Sequence, residues 1–150
     1  MSSSNGIRHE TEVTVSATPE AVWRAITDPA LTRDYYYGTD ILSDWTVGAP
    51  WTSRAGDELY LEGVILEIDP PRRLVQTFHV ASTEEDAVND APSTVTWEVT
   101  PIGEATRVRV IHEGMGAATR SYTEGGWEHI LAGLKALVET GKPLEVAAAM

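Results

Sequence analysis

The chain has 150 residues, no cysteine and a formal net charge of −12, which excludes a disulfide framework, thiolate metal ligation and a cysteine nucleophile. A net negative field repels phosphate backbones and anionic membranes, so nucleic acid is not an expected partner. This length suits one domain, which buries roughly 70% of its extended-chain surface and needs no covalent staples.

Residues 1–6 are polar and lack the basic start and apolar stretch of a signal peptide, and no later run reaches the ~20 apolar residues that span a bilayer. A disordered N-terminus, a cytoplasmic location and no membrane insertion are expected. Ile7, His9, Thr11, Val13 and Val15 then alternate with Arg8, Glu10, Glu12 and Thr14, which predicts a half-buried strand over 7–16. Thr18, Pro19 and Glu20 supply an N-cap, a proline suited to the first turn and an acid near the positive helix end. They open a short helix reaching Thr27, with Val22 and Ile26 as its buried stripe. Asp28 and Pro29 stop it; residues 30–34 have room for one more turn before Tyr35, Tyr36, Tyr37 and Gly38.

Six β-rich stretches follow, at 39–45, 50–55, 59–68, 73–80, 94–100 and 106–113, separated by turn residues such as Gly56-Asp57, Asp69-Pro70-Pro71 and Pro101 to Gly103. Short strands in succession mean an antiparallel sheet. The longest gap, 82–92, carries Glu84, Glu85, Asp86 and Asp90 and reads as a solvated, mobile hairpin tip. Gly114-Met115-Gly116 reads as a flexible connection. Trp127, Ile130, Leu131, Leu134, Leu137 and Val138 recur at spacings of three and four, predicting one helix over 122–140. Gly141 and Pro143 end it, and residues 142–150 form a frayed tail.

The order strand, helix, six strands, long helix resembles the START-like superfamily of polyketide cyclases and lipid-transfer proteins. Three blocks narrow the resemblance. Residues 17–29, Ala-Thr-Pro-Glu-Ala-Val-Trp-Arg-Ala-Ile-Thr-Asp-Pro, are similar to the opening motif of the branch named after the activator of the heat-shock-protein-90 ATPase. Residues 69–78, Asp-Pro-Pro-Arg-Arg-Leu-Val-Gln-Thr-Phe, resemble its mid-sheet hairpin, and residues 126–141 its last helix. Phe78 stands where the branch usually has tryptophan, and three tyrosines stand where it usually has a tryptophan pair; both changes keep bulk and alter polarity. The resemblance implies an α+β helix-grip domain over 7–141: a curved antiparallel sheet of about seven strands around a long C-terminal helix, with short helices after the first strand.

A curved sheet gripping one helix leaves a cleft suited to an apolar ligand held by a few polar groups. Strict alternation puts Tyr60 and Glu62 on the face of Val64, Leu66 and Ile68, and His9 on the face of Val13 and Val15. If those faces are concave, Glu62 and His9 are the candidates for proton transfer; near strand ends they are simply wet. His112 shares a face with Val108 and Val110, as a cavity group or as hydrogen-bonded structure. Trp51, Trp97 and Trp127 serve as cavity wall, core or both. Phe78 joins them, and Trp45 and the tyrosine run Tyr35, Tyr36 and Tyr37 either gate an entrance or cover the sheet end. Arg54, Arg107 and Arg109 belong on exposed faces in weak ion pairs, or on a ligand carboxylate.

His9, His79, His112 and His129 are scattered without ligand spacing, so no metal is expected, and no motif for a cofactor is present. Three readings follow: a cytoplasmic binding protein for a small hydrophobic molecule; a cyclase- or hydrolase-like enzyme using Glu62 with His9 or Tyr60; and a protein-interaction module in stress response or regulation. A homodimer is compatible with each.

Overall fold

The structure is a computed structural model in which residues 6–83 and 85–142 are described; nearly all of the two segments expected to be disordered or frayed, and Glu84, lie outside the described residues. Seven strands form: β1 (Ile7–Val15), β2 (Asp40–Ser43), β3 (Pro50–Ala55), β4 (Glu58–Asp69), β5 (Arg73–Val80), β6 (Ser93–Ile102) and β7 (Ala105–Met115). Every pairing is antiparallel, in the order β1-β7-β6-β5-β4-β3-β2. Between β1 and β2 run α1 (Pro19–Thr27) and α2 (Pro29–Tyr35). Thr18 Oγ1 accepts from the Ala21 N–H at 3.1 Å, and Asp28 both ends α1 and caps α2, accepting from the Ala30 N–H at 3.0 Å. Two helix-prolines and two side-chain caps thus turn the chain sharply where its local chemistry asks for it.

The concave face is apolar and closed by α4 (Gly126–Thr140). Leu74, Phe78 and Val80 on β5, Val95, Trp97 and Val99 on β6, and Val108 and Val110 on β7 meet Trp127, Ile130, Leu131, Leu134 and Leu137 of α4 in one core. This is the helix-grip architecture. The convex face is charged: Glu67, Arg73, Glu98, Arg109, Glu10, Arg8 and Glu113 form a continuous ladder of ion pairs from β4 to β7 and β1. These pairs are all partly exposed and contribute little each; they keep the outer face wet and fix which side of the sheet faces the helix.

Strict alternation fails along β4. Ser53 pairs with Leu61 and Arg54 with Leu59, so Tyr60 is an extra residue in a bulge; Ile65 pairs with Gln76 and Glu67 with Val75, so Leu66 is another. Between the bulges the inward residues are Leu61, Gly63 and Ile65, whereas Glu62 and Val64 point outward; past the second bulge Ile68 returns to the core. The single face expected for Tyr60, Glu62, Val64, Leu66 and Ile68 therefore does not exist, because each bulge inverts the side-chain parity downstream of it.

Gly63 is a consequence of a large neighbour. The Trp51 indole lies across β4 and its Nε1–H donates to Thr77 O on β5 at 2.7 Å. A Cβ on Gly63 would fall inside the contact radii of both Thr77 O and Trp51 Nε1. A glycine inside a strand here marks the close approach of a side chain across the sheet.

Two further expectations change at the C-terminal end. The helix predicted over 122–140 is two helices, α3 (Ala117–Thr123) and α4, separated by Gly125 with φ of 75°. The gap at 82–92 is not simply a solvated hairpin tip: Asp86–Asn89 form a 3₁₀ turn, Ala87 is buried, and His79 Nε2 is 2.9 Å from Val88 O. Asp90 Oδ2 accepts from both the N–H and the hydroxyl of Thr119, at 2.8 and 2.7 Å. Gly116, the residue at the α3 N-cap, has no side chain to do this, and its missing Cβ is the room the Asp90 carboxylate occupies. The segment expected to be a flexible connection is therefore a fixed junction, with Met115 fully buried.

Two stability predictions follow from these contacts. Gly63→Ala should lower unfolding free energy by about 3 kcal/mol in urea titrations, through overpacking and loss of the indole bond. Asp90→Ala should cost about 1 kcal/mol, as loss of a helix cap does, with faster amide exchange confined mainly to α3.

Candidate functional site

Where α4 leaves the sheet toward its N-terminus, the core opens into a cavity of about 440 Å³. One wall is the sheet, through Ser53, Leu61 and Phe78. The opposite wall is the first turn of α4, through Gly126, Trp127 and Ile130. Tyr36, Tyr37 and Thr39 close one side, and Tyr122, Thr123 and Glu124 at the end of α3 close the other, with Tyr60 at the rim. The volume falls within the range of small-molecule sites.

Two walls are held by one buried chain of hydrogen bonds. Trp127 Nε1 is 3.0 Å from His112 Nδ1, His112 Nε2 is 2.7 Å from Ser93 Oγ, and Ser93 Oγ is 3.2 Å from Phe78 O. An indole N–H can only donate, so Nδ1 must accept and the imidazole proton sits on Nε2, donating to Ser93, whose hydroxyl donates to the Phe78 carbonyl. Every partner is satisfied with His112 neutral. Burial, aided by the charges of His9 and Arg120, pushes the His112 pKa down to about 3. The same imidazole stands edge-on to Phe78, at 4.6 Å between centroids, and to Trp127 at 5.9 Å. His112 thus lies behind the cavity wall and does not face its interior.

Inside, two hydroxyls lack partners among the described residues: Tyr36, whose ring is buried and edge-on to Trp127 at 6.0 Å, and Ser53. Burial, with the nearby Tyr122 and Tyr37 phenols, pushes the Tyr36 pKa up, so it remains a neutral donor. The rim carries more phenols. Tyr37 stacks on His129 with centroids 4.8 Å apart, in a left-handed backbone conformation of φ 55° that a bulky residue seldom adopts. The bulge aims Tyr60 at the rim, where its hydroxyl donates to Glu58 at 3.1 Å.

Of the residues singled out from sequence, Tyr37, Tyr60, Phe78 and Trp127 reach this cavity. Glu62 does not: it lies on the convex side, 47% exposed, with its carboxylate 3.1 Å from His79 Nδ1. The second bulge-free register of β4 turned it away. His9 faces the helix but sits at the edge, 2.6 Å from Glu128 on α4, so the proposed pairing of Glu62 with His9 in one pocket is overturned. Trp51 and Trp97 are core, lining with Trp45 a small void behind Tyr36; Trp45 therefore does not guard the mouth. Tyr36, from the tyrosine run, also lines the cavity, whereas Ser53, Leu61, Tyr122 and Glu124 were missed. The Gly125-Gly126 pair was the available signal for the last two, since it ends a helix and leaves the preceding turn free to form a lip. Among the described residues no group of three acidic or histidine side chains is placed to hold a metal ion, and no helix is long and apolar enough to cross a membrane.

His112 gives the site a pH signature. In the unfolded chain it takes up a proton near pH 6.5, but in the folded protein only near 3. Between those values the unfolded state binds more protons, so stability is complete above about 6.5 and falls with acidification by roughly 1 kcal/mol per pH unit. Urea midpoints measured from pH 7 to 5 should show this slope in the parent and a flatter one in His112→Gln.

Comparison with known proteins agrees with this architecture. CalU16 from Micromonospora echinospora superposes with a TM-score of 0.74 at 21% identity, over 93% of this chain and 78% of that one. The Aha1 dimer from Colwellia psychrerythraea gives 0.72 at 17% identity, over 91% and 98%. PFC0360w from Plasmodium falciparum, described as an HSP90 activator, gives 0.71 at 21%, over 92% and 99%. No curated protein matches the sequence significantly. The family described as Activator of Hsp90 ATPase homolog 1-like protein matches residues 16–139, so the chain belongs to that family, a branch of the START-like superfamily.

Proposed function

We propose that this protein binds one small, largely apolar molecule in the cavity between β3–β5 and the first turn of α4. The observation that carries the reading is the cavity itself: about 440 Å³ within the core end, walled by Leu61, Phe78, Trp127 and Ile130 and containing two hydroxyls without protein partners. Two hydroxyls facing an otherwise apolar space suit a ligand with one or two polar atoms. The cytoplasm is the compartment assigned in this reading, and a homodimer the assembly, the latter supported by one structural neighbour that is described as a dimer. Proton-transfer chemistry by Glu62 is set aside, because its carboxylate lies on the other side of the sheet.

A protein-docking role is the second reading. Leu42, Val64 and Leu66 are 41%, 40% and 45% exposed toward the β2–β4 edge, and one structural neighbour is described as an HSP90 activator.

The test fills the cavity. A neutral apolar fluorophore, N-phenylnaphthylamine, should bind the parent at one site, and native mass spectrometry of protein from its own host should release a stoichiometric small molecule. Leu61→Trp should abolish both while the fold survives, since the added ring enters empty space. Unchanged dye binding in Leu61→Trp would overturn the ligand reading. Docking would instead be lost in Val64→Glu with Leu66→Glu and kept in Leu61→Trp.

A further inference from the structure

The charge and ring content of the cavity say which ligands it suits. Six aromatic rings face it, from Tyr36, Tyr37, Tyr60, Phe78, Tyr122 and Trp127, and the one charged side chain on its wall is Glu124. Among the described residues no lysine, arginine or histidine lines it. The charges just outside are also negative. The Glu58 carboxylate accepts from the Tyr60 hydroxyl at the rim. Burial and then the charge of Glu85 raise the Tyr122 pKa, and burial and then Glu128 raise that of Tyr37.

The nearby basic side chains do not line the cavity. Lys135 is bound to Glu139 and to Thr14 O. Arg120 lies close enough to lower the pKa values of His112 and Glu128 and has one buried guanidinium nitrogen without a partner among the described residues, but it is not among the residues that line the cavity. His129 stacks on the Tyr37 ring and is not among the lining residues. An anionic head group arriving at this mouth would meet π faces, phenol oxygens and carboxylates, with no cation among the described residues that line it. A cation meets the opposite: the ring faces carry the negative end of the quadrupole, and a desolvated cation over them is attracted more strongly than an exposed one. The whole chain's charge of −12 acts in the same sense during approach.

From this we infer that the cavity selects an amphipathic organic cation, an apolar body carrying one protonated or quaternary amine. The body lies against Leu61, Phe78 and Ile130, and the amine sits at the mouth among Tyr37, Tyr60, Tyr122 and Glu124. This deepens the ligand-binding reading and rests on it.

Three probes that share one apolar body separate the two ideas: naphthylpropyl-trimethylammonium, naphthylpropanol and naphthylpropionate, measured by isothermal titration calorimetry with the full chain. The ammonium should bind about tenfold tighter than the alcohol, the worth of about 1.4 kcal/mol, and the propionate more weakly than either. Glu124→Gln should narrow the gap between ammonium and alcohol by about threefold, and Tyr122→Leu should narrow it further. Added salt should erode the Glu124 share while leaving the ring share.

Equal binding of all three, abolished by Leu61→Trp, would overturn the cation preference and leave the cavity reading standing. A preference for the propionate would overturn it likewise. Ammonium binding that survives Leu61→Trp would place the cation on the acidic surface and overturn the inference. If none of the three binds, the cavity reading falls and takes the preference with it.

Discussion

The arrangement of this protein depends on one line of hydrogen bonds, Trp127 to His112 to Ser93 to the Phe78 carbonyl. It runs from α4 through β7 and β6 to β5 and so ties the gripping helix to three strands at once. Apolar packing along Leu131, Leu134 and Leu137 would hold the helix against the sheet, yet it tolerates sliding; directional bonds with no spare donor do not. Breaking any link leaves a buried polar atom unpaired, at a cost of about 1–3 kcal/mol. The line also works only with a neutral imidazole, which is why burial and bonding act together on the His112 proton.

That line sets the shape of the cavity, because its two ends are cavity walls. Phe78 and Trp127 cannot collapse into the space between them while both are held from behind, and His112 braces each ring edge-on. The opposite lip depends on an independent device. Asp90, from an acidic segment distant in sequence, caps α3 in place of the absent Gly116 side chain, and α3 carries Tyr122, Thr123 and Glu124 to the rim. One cavity is thereby assembled from a rigid back and a capped, short helix in front.

The distribution of charge follows the same division. Opposite charges alternate across the convex face, where three guanidiniums lie among four carboxylates and offset most of their charge. At the mouth Glu58 and Glu124 stand beside phenols with no cation among the described residues that line it. A fold that offsets most of the charge on one face and leaves the other negative favours different partners at each.

The sequence by itself determined what depends on near neighbours. Thr18-Pro19 and Asp28-Pro29 set the two helix starts, alternation marked the first strand and β-rich runs between turn residues the other six, spacings of three and four marked the gripping face of α4, and the ordered motifs pointed to the family. Trp127 and Phe78 were legible as large apolar residues on inward faces. What only the tertiary structure decided depends on pairing between distant segments. Two bulges, each defined by the register of β4 against β3 or β5, turned Glu62 outward and swung Tyr60 to the rim. The partners of His112 come from β6 and α4, and the cap of α3 comes from residue 90. A period of two or 3.6 residues records which face a residue shares with its neighbours in the chain; it carries no record of a one-residue insertion relative to another strand, which is enough to exchange inside for outside.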